Sequence, residues 1–144
     1  MKKFNFPLGR VMDFRRAQAR IEEVKLEGLH AELRALDTRE AALNAQQAQS
    51  EKALKAATSV TGFDLELFDS YREATKEELR RLAKAKVDCS KRVEAQLQVL
   101  ITKRRDVRLL EKLKEQRLGK WEKEMFKEID SQAEEAYLAK WKAQ

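Results

Sequence analysis

Proline and glycine are scarce in this sequence, which has one proline, Pro7, and four glycines among its 144 residues. These two residue types form most tight turns, so a fold with many short elements and many reversals is excluded. No proline occurs between Asp64 and Trp141, which makes this stretch a candidate for one continuous helix. Aromatic residues make up only 7% of the chain, which is not the composition of an ordinary globular domain.

Cysteine and long apolar runs are also nearly absent. The one cysteine, Cys89, cannot form an internal disulfide, which is compatible with a reducing compartment. No segment approaches the roughly 18 consecutive apolar residues that a membrane-spanning helix requires. The first residues, Met1–Pro7, are basic but lack the apolar core of a signal peptide. We therefore expect a cytoplasmic protein that does not insert into a membrane.

Charged residues, by contrast, are abundant: they make up 39% of the chain, and the net charge is +6. High charge with low hydrophobicity is also the composition of disordered chains. Here, however, leucine recurs at heptad-like intervals among alanine, glutamate, lysine and arginine, which favours long helices. The sequence therefore predicts a coiled coil, and its positive charge suits an acidic protein surface, a nucleic acid or an anionic membrane surface.

The main helix is predicted from about residue 64 to 141. Apolar and small residues recur along it at alternating three- and four-residue steps, the narrow seam of a coiled coil. At ~1.5 Å per residue this helix is on the order of 110 Å long, too long to be wrapped by a globular core. The seam positions are Phe68, Thr75, Leu79, Leu82, Cys89, Val93, Gln96, Leu100, Val107 and Leu110.

A first helix is predicted from about residue 7 to 58, with Pro7 at its first position. Its apolar residues fall into two registers, and the change occurs at Gly28, a poor helix former. The early register comprises Leu8, Val11, Phe14, Ala17, Ile21 and Val24. The later register comprises Leu26, Leu29, Leu33, Leu36, Leu43 and Leu54.

Residues 59–63 are the predicted turn between the two helices. Gly62 can close a helix, and Thr61 or Asp64 can cap the next one. Folding the chain about Gly62 keeps the two seams in phase, since Leu43 falls opposite Leu79 and Leu29 opposite Val93. The predicted fold is therefore all-α, an antiparallel two-helix coiled-coil hairpin with helix two longer than helix one, forming a single domain over residues 1–144.

The two ends of this hairpin differ. Near the turn, Gln47, Ser50, Arg72 and Thr75 occupy seam positions where leucine would pack, so this end is expected to be less stable. At the other end, helix two is expected to overhang helix one by roughly 25 residues, or ~40 Å. Unpartnered apolar groups mark interaction surfaces; alternatively, Phe4 and Phe6 fold back over part of the overhang, or two chains pair there. The overhang carries Leu118, Trp121, Met125, Phe126, Ile129, Tyr137 and Trp141.

The residue patterns of catalytic sites do not occur in this sequence. The single histidine, His30, lies on the predicted solvent face, and Cys89 falls on the seam, where it is expected to be a small buried residue. One cysteine cannot build a cysteine-based zinc site, and there is no P-loop. We expect no enzymatic activity, no cofactor and no metal.

Two basic clusters are brought together by the predicted fold. Arg15 and Arg16 of helix one come level with Arg105 and Arg108 of helix two, forming a positive band towards the open end. Nucleic-acid binding is only weakly indicated, because acidic residues are interleaved and no base-reading motif is present. Docking of an acidic protein partner is favoured at least as strongly.

Three segments resemble the FliJ family, the coiled-coil component of the bacterial flagellar type III export apparatus. The opening Phe4-x-Phe6-Pro7-Leu8-x-x-Val11-x-x-x-Arg15 is similar to the start of that family. The stronger likeness is the run RRDVRLLEKLKEQR at 104–117, which continues through Trp121-x-x-Glu124 to QAEEA at 132–136. The pair Phe68 and Tyr71 is similar to an aromatic pair that the family carries after the hairpin, and Thr75 departs from a leucine that is commoner there.

The resemblance implies a hairpin similar to the gamma subunit of rotary ATPases, peripheral at the cytoplasmic face of the inner membrane. Its open end would enter the central hole of the hexameric export ATPase, its hairpin region would touch the cytoplasmic domain of the export gate FlhA, and it would also escort export chaperones. On this hypothesis Arg104, Arg105 and Trp121 serve the ATPase, and Phe68 and Tyr71 serve the gate. Plain seam packing is the alternative for Phe68.

Three other functions are compatible with the sequence. One is the equivalent stalk of a virulence injectisome, which the same residue patterns would produce. Another is a structural or adaptor coiled coil in which the overhang only dimerises. The third is a basic nucleic-acid-binding protein, whose binding would depend steeply on salt.

Overall fold

Two long helices make up most of the chain. A computed structural model describes residues 2–143. Helix α1 spans Gly9–Ala56, with 48 residues, and helix α2 spans Gly62–Lys142, with 81 residues. No strand occurs within the described range. The predicted fold class, an all-α helical hairpin whose second helix is the longer, is confirmed.

Helix α1 begins two residues later than predicted. Residues 2–6 have no regular secondary structure, and the backbone N–H of Gly9 donates to the carbonyl of Phe6 over 3.0 Å, which closes a turn. Pro7 stands at the second position of this turn, where its fixed φ angle is favourable. It therefore directs the chain into α1 and is not itself the first helical residue.

The connection between the helices covers residues 57–61, and α2 begins at Gly62. Thr61 caps α2: its Oγ1 accepts the backbone N–H of Asp64 over 3.1 Å, and its own N–H donates to Asp64 Oδ2 over 3.0 Å. This reciprocal pair is a capping box, so both residues named as candidate caps contribute. No residue described here has a left-handed backbone conformation, and Gly62 opens α2 rather than closing α1.

The chain divides into two compact units. The central unit comprises Glu22–Val99, and the terminal unit comprises the residues up to Ile21 together with those from Leu100 onward. Each unit contains one segment of α1 and one segment of α2. The single domain expected over residues 1–144 stays a prediction.

The seam of the central unit follows the predicted positions. Leu43 and Cys89 are buried, and Thr75 is a buried polar residue among them. The Cys89 thiol lies 3.6 Å from the carbonyl oxygen of Leu29, to which it donates. The prediction that Cys89 is a small buried seam residue is confirmed, and a buried thiol of this kind is chemically inert.

Ion pairs flank this seam. Arg92 lies 2.9 Å from Glu32, and Lys86 Nζ lies 2.8 Å from Asp37 and 3.2 Å from Glu40. Folding about Gly62 places Glu32 and Asp37 within two residues of the position opposite their basic partners, and Glu40 within four. The ion pairs therefore agree with the predicted register, and as exposed pairs they specify alignment more than they stabilise it.

In the terminal unit the seam differs from the prediction. Met12 and Leu100 are buried, and Met12 was not predicted as a seam residue. The early register proposed for helix one is wrong: after Leu8, its large members are solvent-exposed, and they are Val11, Phe14, Ile21 and Val24. Ala17 is exposed as well.

The reason is that α1 keeps one heptad register from end to end. Its less exposed positions recur in steps of three and four from Leu8 through Met12, Arg15, Ala19 and Glu22 to Leu26. No register change occurs at Gly28. A single register keeps α1 in phase with the regular seam of α2, at the expense of placing Arg15 and Glu22 where apolar residues would otherwise pack.

Candidate partner-binding surfaces

Trp121 lies at the point where the N-terminal segment folds onto α2. Its ring centroid is 5.9 Å from that of Phe4, and its indole N–H donates to the Lys2 carbonyl over 3.2 Å. One turn earlier, the Arg117 guanidinium lies 5.8 Å from the centre of the Phe6 ring, a cation–π distance. The alternative that Phe4 and Phe6 cover part of the overhang is confirmed.

A basic groove borders this aromatic contact. It is lined by four cations, Lys2 and Lys3 from the N-terminal segment and Arg117 and Lys120 from α2, together with Trp121 and one carboxylate, Glu124. Lys2, Lys3 and Lys120 are solvent-exposed. Cations that converge beside an aromatic ring favour an anionic partner surface.

Arg104 and Arg105 are exposed on the α2 segment of the terminal unit. Arg104 has an interaction partner within the described residues. Nearby, Arg15 of α1 lies 3.9 Å from Asp106, and Arg16 lies 3.2 Å from Glu111. The α1 arginines thus reach the predicted level of α2, but carboxylates interrupt the positive band there. This interruption is less suited to a phosphate backbone than to a protein surface of mixed charge.

Beyond Met125, every described residue of α2 is exposed. The exposed apolar side chains of this C-terminal segment, defined as residues 122–142, are those of Phe126, Ile129, Tyr137, Leu138 and Trp141. The N-terminal segment reaches Trp121, and Leu118, Trp121 and Met125 are half-buried. The uncovered part of α2 is therefore shorter than the roughly 25 residues expected from helix lengths alone.

Phe68 and Tyr71 lie on α2 in the central unit. Phe68 is half-buried, and Tyr71 is 38% exposed. Phe68 therefore has the burial of a seam residue, while Tyr71 offers an accessible ring and hydroxyl. The start of α2 also exposes Phe63, Leu65 and Leu67, which sequence reasoning did not single out. Their spacing matched no seam register, and that mismatch is the sequence signal that they face solvent.

The charged groups with shifted pKa values have structural causes. Hydrogen bonds to Asp37 and then Glu40 raise the pKa of Lys86, and Glu32 raises the pKa of Arg92. The Thr61 backbone N–H and then its side chain lower the pKa of Asp64. These shifts have their causes in ion pairs and in a helix cap.

Residues 2–143 contain neither a cluster of metal-binding side chains nor a membrane-spanning helix. No three or more histidine, cysteine, aspartate or glutamate side chains there are grouped so as to hold a metal ion. No helix within the same range is long and apolar enough to cross a membrane.

Comparison of the chain with protein-family models, with curated proteins and with solved structures found no match.

Proposed function

We propose that this chain is a non-enzymatic coiled-coil stalk and general chaperone component of a bacterial flagellar type III export apparatus. In this role it couples the hexameric export ATPase to the cytoplasmic domain of the export gate FlhA, and it escorts export chaperones. It works in the cytoplasm, at the cytoplasmic face of the inner membrane.

One contact carries this proposal. The opening motif with Phe4 and the motif with Trp121 both resemble the FliJ family, and they pack against each other although Lys2 and Trp121 are 119 residues apart in sequence. Pairing of the two helices brings both motifs to the same level, and the residues that meet there are the aromatic residues of the two motifs. Their contact supports a shared function at the open end of the hairpin.

The charges and apolar groups support a division of labour between the two ends. The groove beside Trp121 is basic, and Arg104 and Arg105 are exposed in the same unit, which suits the ATPase ring. Tyr71 is accessible in the central unit, close in sequence to the exposed Phe63, Leu65 and Leu67, and this set suits the gate. Phe68 contributes mainly by packing on the seam, where it positions Tyr71.

The test is a pull-down from native lysate with the full chain as bait. We expect recovery of an export ATPase and of a gate component. Arg104→Glu with Arg105→Glu should reduce ATPase recovery at least about tenfold, since like charges oppose docking. The control, Lys84→Glu with Lys91→Glu, reverses two exposed charges in the central unit and should leave recovery of the ATPase unchanged. Unchanged recovery with the first pair would refute the assignment to the ATPase.

The gate is tested separately. Tyr71→Ala should reduce recovery of the gate component without affecting the ATPase. Phe14→Ala, at an exposed aromatic ring in the terminal unit, is the control and should leave recovery of the gate component unchanged. Recovery of an injectisome ATPase would instead assign the chain to the equivalent virulence stalk. Recovery of neither ATPase nor gate would refute the proposed function.

A further inference from the structure

An exposed apolar stripe runs along α1 in the terminal unit. We define the α1 stripe as Val11, Phe14 and Ile21; Phe14 is 60% exposed and Ile21 is 56% exposed. These residues lie away from the seam that contains Met12, and each is solvent-exposed among the residues that the structure describes. Three large apolar side chains along one face of a helix are the pattern of a second packing interface.

The C-terminal segment is a second uncovered apolar surface in the same unit. Phe126, Ile129 and Tyr137 are exposed along it, and Trp141 is 68% exposed. At ~1.5 Å per residue, Val11 to Ile21 spans about 15 Å, and Phe126 to Tyr137 spans about 17 Å. The two surfaces therefore match in length and apolar character.

Their charges are opposite. Residues 9–21 contain four arginines and one aspartate, a net charge of +3, whereas the C-terminal segment, residues 122–142, contains six acidic residues and four lysines, a net charge of −2. Within residues 2–143, neither Arg10 nor Arg20 has an ion-pair partner, and none of the six carboxylates has one. Those carboxylates are Glu122, Glu124, Glu128, Asp130, Glu134 and Glu135. Each surface thus carries unpaired charge that the other would neutralise.

The two surfaces cannot meet within one chain. Helix α2 is unbroken to Lys142, and Trp121 already packs against Phe4, which precedes the start of α1 at Gly9. The C-terminal segment therefore extends past the beginning of α1, away from Phe14. A continuous helix cannot reverse direction to cover a face of the helix it has already passed.

From this we infer that the occupant of the α1 stripe is a second copy of the chain. The C-terminal segment of one copy packs on the α1 stripe of the other, and the arrangement is reciprocal. Each copy supplies one basic and one acidic surface, so a two-fold axis satisfies both pairs at once. The dimer covers the apolar groups at the open end when no other partner is bound.

The test measures the mass of the purified full chain by sedimentation equilibrium over a range of concentrations. We expect a reversible dimer. Ile21→Glu should raise the dissociation constant at least about tenfold, because it places a carboxylate among the acidic residues of the partner copy. Val87→Glu changes a 54% exposed apolar residue in the central unit and should leave the dissociation constant unchanged. Circular dichroism checks that both variants keep their helix content.

A charge-swap experiment identifies the contact directly. Arg10→Glu should dimerise at least about tenfold more weakly than the wild-type chain, and so should Asp130→Lys with Glu134→Lys. At ~100° per residue these positions flank the two apolar faces. Mixed together, the two variants should dimerise, since both reciprocal interfaces then join opposite charges.

Three results would overturn the inference: a wild-type chain that stays monomeric at high concentration, a dimer that Ile21→Glu does not weaken, or swapped variants that fail to pair when mixed. The test uses the purified chain alone. Its outcome is therefore independent of whether the chain binds an export ATPase or gate, and it can fail while the proposed function holds.

Discussion

Gln96 of α2 reaches across the central unit to Glu22 of α1. Its side-chain N–H group donates to the Glu22 backbone carbonyl over 3.0 Å and also to the Glu22 carboxylate. Both residues are half-buried at seam positions, where leucine would pack more tightly. A polar pair on a seam fixes the alignment of two helices, because a shift separates the Gln96 amide from both of its Glu22 acceptors.

The first prediction concerns this pair. Gln96→Leu should lower the melting temperature, because the Glu22 carboxylate loses a donor beside a newly apolar neighbour. Combining Glu22→Leu with Gln96→Leu should raise the melting temperature above that of the wild-type chain, since apolar residues then fill the layer. Thermal melts followed by circular dichroism measure both. A double variant less stable than Gln96→Leu would contradict the interpretation.

The second prediction tests the seam of the terminal unit. Leu100→Ala should reduce the free energy of unfolding by about 2–5 kcal/mol, because it removes a buried side chain and leaves a cavity. Leu109→Ala removes the same atoms from a residue that is 67% exposed, and its effect should stay within about 0.5 kcal/mol. Denaturant titration gives both values. Equal effects would mean that Leu100 does not pack against α1.

The third prediction concerns pH. The pKa of Asp64 lies below its ordinary value of 3.8, because Thr61 hydrogen-bonds to its ionised form. The ionised carboxylate therefore stabilises the fold above pH 3.8, and this contribution is lost as the pH falls through the lowered pKa. Asp64→Ala should lower the melting temperature near neutral pH, and the deficit should disappear in acid.

Asp69→Ala is the matched control for this experiment, because Asp69 is an exposed aspartate of the same helix that makes no ion pair within residues 2–143. It should show a smaller deficit at neutral pH. A deficit for Asp64→Ala that stayed constant into acid would rule out the capping carboxylate as its cause.

The fourth prediction uses Trp121 as a reporter of the N-terminal fold-back. Trp141→Phe leaves Trp121 as the only tryptophan. In that background, Phe4→Ala should shift the emission of Trp121 to longer wavelength, because the indole loses the ring packed 5.9 Å away and gains water. Phe14→Ala, at an exposed ring of α1, should leave the emission unchanged. An unchanged spectrum after Phe4→Ala would mean that Phe4 does not cover Trp121.

The α2 seam could be predicted because its hydrophobic period continues over many turns and can be recognised from the sequence of α2 alone. The apolar steps from Phe68 to Leu110 all fall on buried or half-buried positions, and burial of Cys89 followed from its place among them. The chemistry of Thr61 and Asp64 likewise identified the cap of α2 from local sequence. Local signals of this kind need no knowledge of the partner helix.

The start of α1 was predicted wrongly because two heptad patterns overlap there. Phe14 and Ile21 form the more apolar pattern, whereas Met12 lies on the pattern that packs against α2. Hydrophobicity alone favours the first pattern, and only the phase of α2 selects the second. The sequence also left undecided whether Phe4 contacts Trp121. A short segment outside a helix has no hydrophobic periodicity, so its packing partner cannot be predicted from its sequence.

Because Cys89 is buried, the reactivity of its thiol reports how often the two helices separate locally. A thiol-alkylating reagent cannot reach it in the closed hairpin, so modification proceeds only through local opening. The rate of alkylation therefore measures the equilibrium for opening of the central unit, and the wild-type sequence needs no added probe. Any ligand that clamps the helices together would slow that rate, and the extent of slowing would measure the clamping.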